Sequence, residues 1–426
     1  MGTRGLVPAD VRGFHAREDT SPGSARAGQG NPRLRIALEL PELSPQEAEH
    51  SARLAARIHE VIGEAGGWIG FERFMTLALY EPGLGYYSAG AHKFGAAGDF
   101  VTAPEVAPVF SRCVAAQCQE ILRELGVGAV LLELGAGSGV MAATLLAELE
   151  RCHALPSEYW ILDVSADLRE RQRQTLAAAV PQLLARVRWL DALPDSFSGV
   201  IVANEVLDAL PVERFSIRDE QVNAVGVAEQ RGILQWSERP SRAELGAAVR
   251  RIEADIEREL PDGYVSEVCL GLAPWLHSLA ERLVRGVMLF VDYGLPRREY
   301  YSVERRDGTL LCHFRHRFHD DPFTRLGLQD ITAWVDFTAV AEAAQASGME
   351  VAGFTTQAHF LIGCGIGAFV ADVEALDVAE RVNLSRQIMV LTLPAEMGER
   401  FKVIGLTKGY DAPLSGFTTR DLRHTL

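Results

Sequence analysis

The sequence predicts an α/β fold built on a parallel, doubly wound sheet. From about residue 129 onward, short apolar segments alternate with helix-like segments, which is typical of such sheets. The first apolar segment runs into a turn with three alternating glycines, within the stretch VLLELGAGSGVMAATLL of Val130–Leu146. With 426 residues, 48% of them hydrophobic, the chain can form one large domain with additions, or two domains.

Seven apolar segments are candidate strands of this sheet. They cover residues 129–134, 159–164, 186–190, 198–203, 286–292, 350–357 and 401–407. The segment 166–179 is predicted to be one of the intervening helices. Three helices are expected before the first strand, one with its apolar face at Leu54, Ile58 and Val61, and two over 71–79 and 107–125.

The predicted boundaries divide the chain into four parts. In chain order they are an extension rich in Gly, Arg, Ser and Pro that is expected to be disordered (1–38), a helical and loop region that covers a ligand site (39–125), the α/β domain (126–410) and a tail (411–426). Insertions at 212–270, read partly as antiparallel strands, and at 293–336, which is rich in loops, interrupt the α/β domain. Insertions that follow strand ends are where an open α/β sheet builds its substrate site.

Composition narrows the class of protein. The formal net charge is −15, from 57 acidic and 42 basic residues, so general nucleic-acid binding, which needs a concentrated basic surface, is not expected. The six cysteines form no CxxC pair, which favours reduced thiols and a cytoplasmic location. An Arg-rich mitochondrial targeting segment is the alternative, but Asp10, Glu18 and Asp19 argue against it. No apolar run approaches the roughly 18–20 residues that span a bilayer.

The glycine turn indicates which nucleotide it would bind. A dinucleotide fingerprint would have its third glycine at position 140, which is Val140. The turn instead has Glu133 two residues before Gly135, Gly137 and Gly139, a pattern that resembles the first motif of class I S-adenosylmethionine (SAM) methyltransferases. Glycines let the backbone turn sharply and approach a ligand closely. A tight turn that binds no ligand is the alternative.

The next two predicted strands end in acidic residues that fit the same cofactor. Asp163, followed by Val164, is placed to accept hydrogen bonds from the two ribose hydroxyls. Capping of the next helix is the alternative role for Asp163, although Ser165 suits that role better. Asp191 is placed to reach the adenine amino group and Ala192 to offer its backbone N–H, and a simple turn start is an equal alternative.

The fourth strand ends in NEVLDALPV, beside the position of the reacting methyl group in such a fold. Enzymes that methylate bases of DNA or RNA carry an NPPY-like motif here, whose aromatic ring stacks on the flipped base. This chain has Asn204, Glu205 and Asp208 instead, so we predict these three as the catalytic residues. Two carboxylates suit a cationic acceptor such as a guanidinium, which can be held bidentately. For Asp208, capping of the turn before Pro211 is the alternative.

A second group of polar residues lies before the first strand. Asp99, Thr102 and Glu105 occur in the glycine-rich loop GDFVTAPE. In folds of this kind that region can cover the amino-acid end of the cofactor, so the three are predicted as cofactor ligands. A surface loop without a ligand is the alternative.

From Phe71 to Gly409 the chain resembles the MidA-like methyltransferases. The blocks that carry the resemblance are PGLGYY, GDFVTAPEVAPVF, LLELGAGSG, NEVLDALPVERF, FVDYG, RRDGTLLCHFRHRFHDDPF, DITAWVDF, TTQAHFL and EMGERFKV. The resemblance implies a Rossmann-like class I methyltransferase fold, SAM as cofactor, and a partner protein that presents an arginine. The mitochondrial members of the family are complex I assembly factors that methylate such an arginine.

The chain departs from the family pattern at several positions. Ala136 and Ser138 stand where the family often has Pro and Arg, and Asp163 stands where Glu is common. Trp334 replaces a frequent His, which puts a role for a histidine there in doubt. Two other functions stay open: a SAM-binding assembly protein with little catalysis, and methylation of a small molecule. The oligomeric state is also open, with a homodimer as one alternative.

The segment HFRHRFH suggests a metal site only at first sight. His313, His316 and His319 are three residues apart, a spacing that converges ligands on a helix. No HExxH or carboxylate-rich motif accompanies them, and Arg315 and Arg317 would repel a cation. We therefore expect no metal and a loop near the substrate.

Overall fold

The computed structural model describes residues 40–89, 102–369 and 377–426. The α-helices are α1 Pro45–Glu64, α2 Phe71–Tyr80, α3 Ala103–Val106, α4 Pro108–Leu125, α5 Val140–Arg151, α6 Ala166–Ala179, α7 Ala243–Asp255, α8 Leu272–Arg282, α9 Arg297–Tyr300, α10 Phe337–Ala346, α11 Gln357–Gly363, α12 Ile366–Phe369, α13 Val378–Thr392 and α14 Met397–Arg400. The strands are β1 Trp68–Gly70, β2 Val130–Leu134, β3 Tyr159–Leu162, β4 Val187–Leu190, β5 Phe197–Asn204, β6 Glu213–Arg218, β7 Gln221–Gln230, β8 Ile233–Pro240, β9 Val265–Val268, β10 Leu283–Leu295, β11 Leu311–Phe314, β12 Arg317–His319, β13 Asp330–Thr332, β14 Val335–Asp336, β15 Glu350–Thr356 and β16 Phe401–Lys408.

All seven predicted strands occur in one eight-stranded sheet. Its order is β15-β16-β10-β5-β2-β3-β4, and β14 pairs with the end of β10. The strands from β10 to β4 run parallel, as predicted for an α/β fold. The last strand is the exception, because β16 runs antiparallel between β10 and β15. The sheet is therefore mixed, not wholly parallel.

Helices cover both faces of this sheet, so its central strands are apolar on both sides. Along β5, Val200 and Val202 pack into one buried layer with α4 and α5. Ile201 and Ala203 point the other way, into a layer with α8 and α10. Burial of each large side chain contributes about 1.5–3 kcal/mol, which fixes the sheet as the rigid part of the molecule.

The first insertion forms an antiparallel sheet of its own. Strands β6, β7, β8 and β9 pair there, and β1 from the N-terminal region joins the edge of β7. Helices α1 and α2 share a core with this sheet and with the second insertion, whose strands β11, β12 and β13 form a small sheet. The N-terminal region and both insertions thus form one layer.

A buried arginine connects the first insertion to the main domain. The guanidinium of Arg297 donates to Asp336 at the start of α10 at 3.0 Å and to Glu342 within that helix. It also donates to Asp255 at the end of α7. Because Arg297 is only 6% exposed, breaking one of these contacts would leave a buried charge poorly paired.

Strands β2, β3, β4, β5 and β10 end at the same edge of the main sheet, because they are parallel. An open α/β sheet binds ligands at that edge. Over residues 40–89, 102–369 and 377–426, no helix is both long and apolar enough to cross a membrane.

Candidate active site

The glycine turn between β2 and α5 has a backbone that other residues adopt poorly. Gly135, Gly137 and Gly139 have φ angles of 62°, 54° and 82°, in the left-handed region that costs an L-residue about 1–2 kcal/mol. A Cβ on Gly139 would lie 3.0 Å from the Cα of Gln172. Gly139 begins α5, so the unpaired N–H groups of that helix lie at the turn.

A glutamine on α6 connects the turn to Asp163. The Gln172 side-chain nitrogen donates to the Gly137 carbonyl at 3.1 Å and to Asp163 Oδ2 at 2.8 Å. Its oxygen accepts from the Trp189 indole at 3.0 Å. Gln172 is fully buried, so these bonds hold the turn and the acidic residue in a fixed relation. Gln172 was not among the predicted site residues, because a polar residue within a helix carries no local signal.

Asp163 lies at the end of β3, as predicted. It is 6% exposed, and its Oδ1 accepts from the Ser165 N–H at 2.9 Å. Ser165 is the N-cap of α6, accepting from Leu168, so Asp163 is not needed as the cap. A carboxylate has about four acceptor positions, which leaves room for ribose hydroxyls beside the bonds to Ser165 and Gln172. The next residue, Val164, exposes 72% of its apolar surface at the same edge.

Asp191 and Ala192 follow β4 and are exposed, as residues beside an adenine would be. The Asp191 side chain is 93% exposed and forms an ion pair with Arg169 at 2.6 Å. Arg169 also donates to the carbonyls of Asp163 at 2.8 Å and Leu190 at 2.6 Å. Arg169 therefore ties the ends of β3 and β4 together, a role that the sequence did not indicate.

Glu133 lies beneath the turn inside the protein. It is fully buried, and its Oε2 accepts from the Tyr159 hydroxyl at 2.5 Å. Burial raises the pKa of Glu133 to about 7, although the bond from Tyr159 opposes the rise. Among the described atoms, Glu133 Oε1 has no hydrogen-bond partner. The side chain, on the strand β2 that leads into the turn, is thus held by Tyr159 of β3.

The residues that follow β5 depart from regular geometry. Asn204 ends the strand, and Glu205 has a φ of 54° although it is not a glycine. The Glu205 N–H donates to the Val291 carbonyl of β10 at 2.9 Å. The Asn204 amide donates to Glu205 Oε1 at 3.0 Å, while Asn204 Oδ1 is buried without a partner among the described atoms.

Asp292 of β10 lies directly under this turn. Its Oδ2 accepts from the N–H groups of Val206, Leu207 and Asp208 at 3.1, 2.9 and 3.2 Å. Its Oδ1 accepts from the Tyr293 N–H at 2.8 Å. Asp292 occurs in the FVDYG block of the sequence, but it was not among the predicted site residues.

Several carboxyl groups share this part of the site. Burial, Asp208 and Glu105 raise the pKa of Glu205 to about 8, against hydrogen bonds from the Asn204 amide and the Ala103 N–H. Burial also raises the pKa of Asp208, whose carboxyl lies beside the Tyr293 hydroxyl. The structure thus places Glu105 and the start of α3 next to the predicted catalytic residues.

Two of the three predicted residues of the glycine-rich loop can be placed. Thr102 is the N-cap residue of α3, without a capping bond from its side chain, and Glu105 lies within that helix. Asp99 lies outside the described residues.

Tyrosines from the N-terminal region form the next wall of the site. The Tyr80 hydroxyl donates to the Ala209 carbonyl, and the Tyr87 hydroxyl to Asp330, both at 2.9 Å. The two rings stack with their centroids 5.5 Å apart. Burial, Asp330 and Asp208 raise the pKa of Tyr80. These tyrosines were not predicted as site residues, because they are far from the strand ends in sequence.

The histidine segment is a β-hairpin and not a helix. His313 is in β11 and His319 in β12, and the turn between them has Arg315 and His316 at φ 48° and 60°. Burial lowers the pKa of His313 to about 4. Within the described ranges, no group of three or more His, Cys, Asp or Glu side chains is placed to hold a metal ion.

The predicted residues therefore form two groups at one edge. The first is a glycine turn with Asp163 and the exposed Val164, and it fits the ribose and adenine of SAM. The second is acidic, at the ends of β5 and β10. Asn204 Oδ1, at the end of β5, is a buried acceptor without a partner among the described atoms, as expected of a polar group that meets a ligand. The chemistry of these residues fits the cofactor.

Curated relatives match most of the chain. It is 28% identical over 428 residues to the Protein arginine methyltransferase NDUFAF7 homolog, mitochondrial, of Drosophila melanogaster, covering 91% of this chain and 94% of that protein. The human Protein arginine methyltransferase NDUFAF7, mitochondrial, is 27% identical over 378 residues, covering 80% of each chain. The predicted cytoplasmic location is wrong, because these relatives are named as mitochondrial proteins.

A solved structure matches both the sequence and the fold. It is described as a "likely methyl transferase" from Burkholderia thailandensis, bound to S-adenosyl-homocysteine. It is 42% identical, covers 91% of this chain and 100% of its own, and superposes with a TM-score of 0.86. The profile of a family described as "Putative S-adenosyl-L-methionine-dependent methyltransferase" matches residues 113–355, more than half of the chain. The chain therefore belongs to this family of SAM-dependent methyltransferases.

Proposed function

We propose that the protein methylates a guanidinium nitrogen of an arginine in a partner protein, with SAM as the methyl donor. The observation that carries the proposal is the acidic group after β5. Glu205 and Asp208 lie beside each other there, at the edge of the sheet where its parallel strands end. The family supplies the cofactor, and the relatives named as protein arginine methyltransferases support the acceptor.

One side of the edge binds the cofactor in this proposal. Asp163 accepts the ribose hydroxyls, and the glycine turn lets the ligand approach its backbone closely. The N–H groups of Gly135 and Gly139 are not the donors, because they already bond the carbonyls of Leu162 and Ala136. Val164 covers the adenine, and Asp191 and Ala192 are placed at its polar rim. Glu133 and Gln172 act indirectly, because they support the turn and do not reach its outer surface.

The N-terminal region closes the cofactor side. Thr102 and Glu105 lie at α3, which contacts the site through the Ala103 N–H at Glu205. We place them at the amino-acid end of the cofactor. Their polar groups suit the charged ammonium and carboxylate found there.

The other side orients the acceptor. Bound SAM supplies a methyl group that is electrophilic because it is attached to a sulfonium. Glu205 and Asp208 hold the guanidinium, with Asn204 fixing the Glu205 carboxylate through its amide. Alignment of two reactants accounts for several kcal/mol of barrier lowering, and a carboxylate held in a fixed position stabilises the cation once it is bound.

The protonation state of Glu205 depends on whether a guanidinium is bound beside it. Without a cation nearby, burial and the adjacent acids raise its pKa to about 8. A bound guanidinium favours the carboxylate form, because an opposite charge within a few ångströms lowers an acid's pKa. Glu205 can then accept the proton that the methylated nitrogen releases.

An arginine suits this site better than a nucleic-acid base. No aromatic residue follows Asn204 in the turn, where a flipped base would need a stacking partner. A planar guanidinium can instead form paired hydrogen bonds with a carboxylate, which the compact ammonium of lysine cannot match.

Labelled SAM incubated with a lysate that lacks this protein tests the proposal. Addition of wild type is expected to label protein bands, and digestion should locate the label on arginine. Label on nucleic acid, on lysine or on a small molecule would refute the arginine assignment. Binding of SAM without any labelled product would favour an assembly protein with little catalysis. The Glu205→Gln variant serves as the matched control for label transferred by contaminating enzymes.

A further inference from the structure

The turn from Asn204 to Asp208 has a conformation that its own sequence does not favour. Glu205 has a left-handed backbone with φ 54°, although the sequence NEVLD offers no glycine for it. Residues held in this region persist only where their surroundings over-determine them, and they concentrate at functional sites. Some neighbouring group must therefore hold the turn.

The group under the turn is the Asp292 carboxylate. Three consecutive N–H groups, of Val206, Leu207 and Asp208, donate to its Oδ2 at 2.9–3.2 Å. Asp292 is fully buried and sits in the rigid strand β10, so its position is set by the sheet and not by the turn. The Val291 carbonyl from the same strand accepts from the Glu205 N–H at 2.9 Å.

The four N–H donors around Asp292 favour its charged form, because each of them stabilises a negative charge on the carboxylate. Burial and the nearby Asp208 and Glu205 raise its pKa, while the N–H groups of Asp208 and Tyr293 oppose the rise. A protonated carboxyl would lose the negative charge that these N–H groups stabilise. Charged acceptors form the stronger hydrogen bonds, so an amide of the same shape would hold the turn less firmly.

We propose that Asp292 is the positioning residue of this site. It holds residues 204–208 so that Glu205 keeps its left-handed backbone and presents its carboxylate to the acceptor. Asp292 itself lies under the turn and touches neither substrate nor cofactor. The inference rests on the proposed function only in the identity of the acceptor.

Hydrogen exchange of the backbone amides tests the anchoring itself. In Asp292→Asn, the amides of residues 206–208 are expected to exchange about tenfold faster or more than in wild type, because their hydrogen bonds are weaker. Asp336→Asn is the matched control. Asp336 is an acid with an 11% exposed side chain that also accepts from backbone N–H groups, those of Thr338 and Ala339. It starts α10 and is paired with Arg297 rather than with the turn at 204–208. Unchanged exchange at 206–208 in Asp292→Asn would overturn the proposal.

Kinetics test the connection from Asp292 to Glu205. Asp292→Asn is expected to lower kcat about tenfold or more while the Kd for SAM stays within about threefold, since the cofactor side is untouched. The double variant with Glu205→Gln should lose little more activity than the more impaired single variant, because both changes act through one carboxylate. Independent, multiplying losses, or wild-type kcat in Asp292→Asn, would overturn the proposal.

The two proposals fail in different ways. If wild type methylates another acceptor, the arginine assignment fails. The kinetics of the single and double variants of Asp292 and Glu205, measured with that acceptor, then decide the role of Asp292. If wild type methylates nothing, faster exchange at 206–208 supports the anchoring and unchanged exchange refutes it. Melting temperatures of the Asp292 and Asp336 variants show whether general destabilisation explains the exchange.

Discussion

The cofactor side and the acceptor side of the site are built in different ways. The cofactor side comes from strands that follow one another in the chain, β2, β3 and β4, each followed by residues that we predict to bind the cofactor. The acceptor side brings together α2, α3, the ends of β5 and β10, and Asp330 of β13. A site built locally can be identified from a short motif, whereas one assembled from distant segments cannot.

The two sides also differ in how they accommodate a left-handed backbone. The cofactor turn uses glycines at all three positions, where this conformation costs little. The acceptor turn uses Glu205, at a cost of about 1–2 kcal/mol, and adds a buried carboxylate. The acceptor side therefore gives up stability for a charge in a fixed position, and the cofactor side does not.

The largest expected effect is the loss of SAM binding in Gly137→Val. A branched side chain at φ 54° strains the backbone and fills the space where the ligand approaches it. Calorimetric titration should detect no binding. The control is Gly348→Val, since Gly348 has φ 75° in open space at the end of α10. Equal affinities for Gly137→Val and wild type would refute the cofactor turn.

The next effect separates chemistry from binding. Glu205→Gln is nearly isosteric but removes the charge that holds the acceptor, so turnover should fall about a hundredfold or more. Steady-state rates with an arginine substrate measure the loss. Glu253→Gln changes a buried acid on α7 that accepts from the Leu260 N–H, and it should keep wild-type turnover. A Glu205→Gln variant with full turnover would place the acceptor elsewhere.

Asp163→Ala should affect the opposite side. Removal of one or two charge-assisted hydrogen bonds to the ribose is expected to weaken SAM binding about ten- to hundredfold. Asp191→Ala provides the comparison, because Asp191 is 93% exposed and already paired with Arg169. Asp191→Ala should therefore weaken SAM binding less than Asp163→Ala does. If Asp191→Ala weakens binding more than Asp163→Ala, adenine and not ribose is the better-held part of the cofactor.

The smallest effect concerns stability and its dependence on pH. The folded-state pKa of Glu205, about 8, lies above its unfolded value of 4.5, so the folded protein binds the extra proton between these values. Its stability therefore falls as pH rises through that window. Glu205→Gln lacks this penalty, so its stability relative to wild type should increase between pH 4 and pH 9. Denaturant unfolding at both pH values measures the difference, and a constant difference would contradict it.

Much of the fold could be predicted from sequence because its signals are local. Seven apolar segments identified seven strands, and the glycine spacing identified the turn at Gly135–Gly139. The direction of β16 was not predictable in this way, since an apolar segment carries no record of the neighbours with which it pairs. The hairpin at His313–His319 was similarly ambiguous, because a three-residue spacing fits more than one structure.

The acceptor side shows where local reasoning stops. Glu205 and Asp208 were predicted as site residues because they follow a strand, but Asp292 was not, although it lies under the same turn. Its role depends on the pairing of β10 with β5, where Val291 is opposite Asn204. Tyr80 and Tyr87 were missed for the same reason, since only the folded chain brings α2 to the carbonyl of Ala209.

The affinity of Glu205→Gln for SAM tests most directly whether the two sides do separate work. Calorimetric titration of this variant and of wild type with SAM should give Kd values within about threefold of each other, because Glu205 serves the acceptor and the charge it loses contributes little to cofactor binding. Such a result, together with a large loss of turnover, would support the division. A Kd that rises in parallel with the loss of turnover would contradict it, and would assign Glu205 to the cofactor.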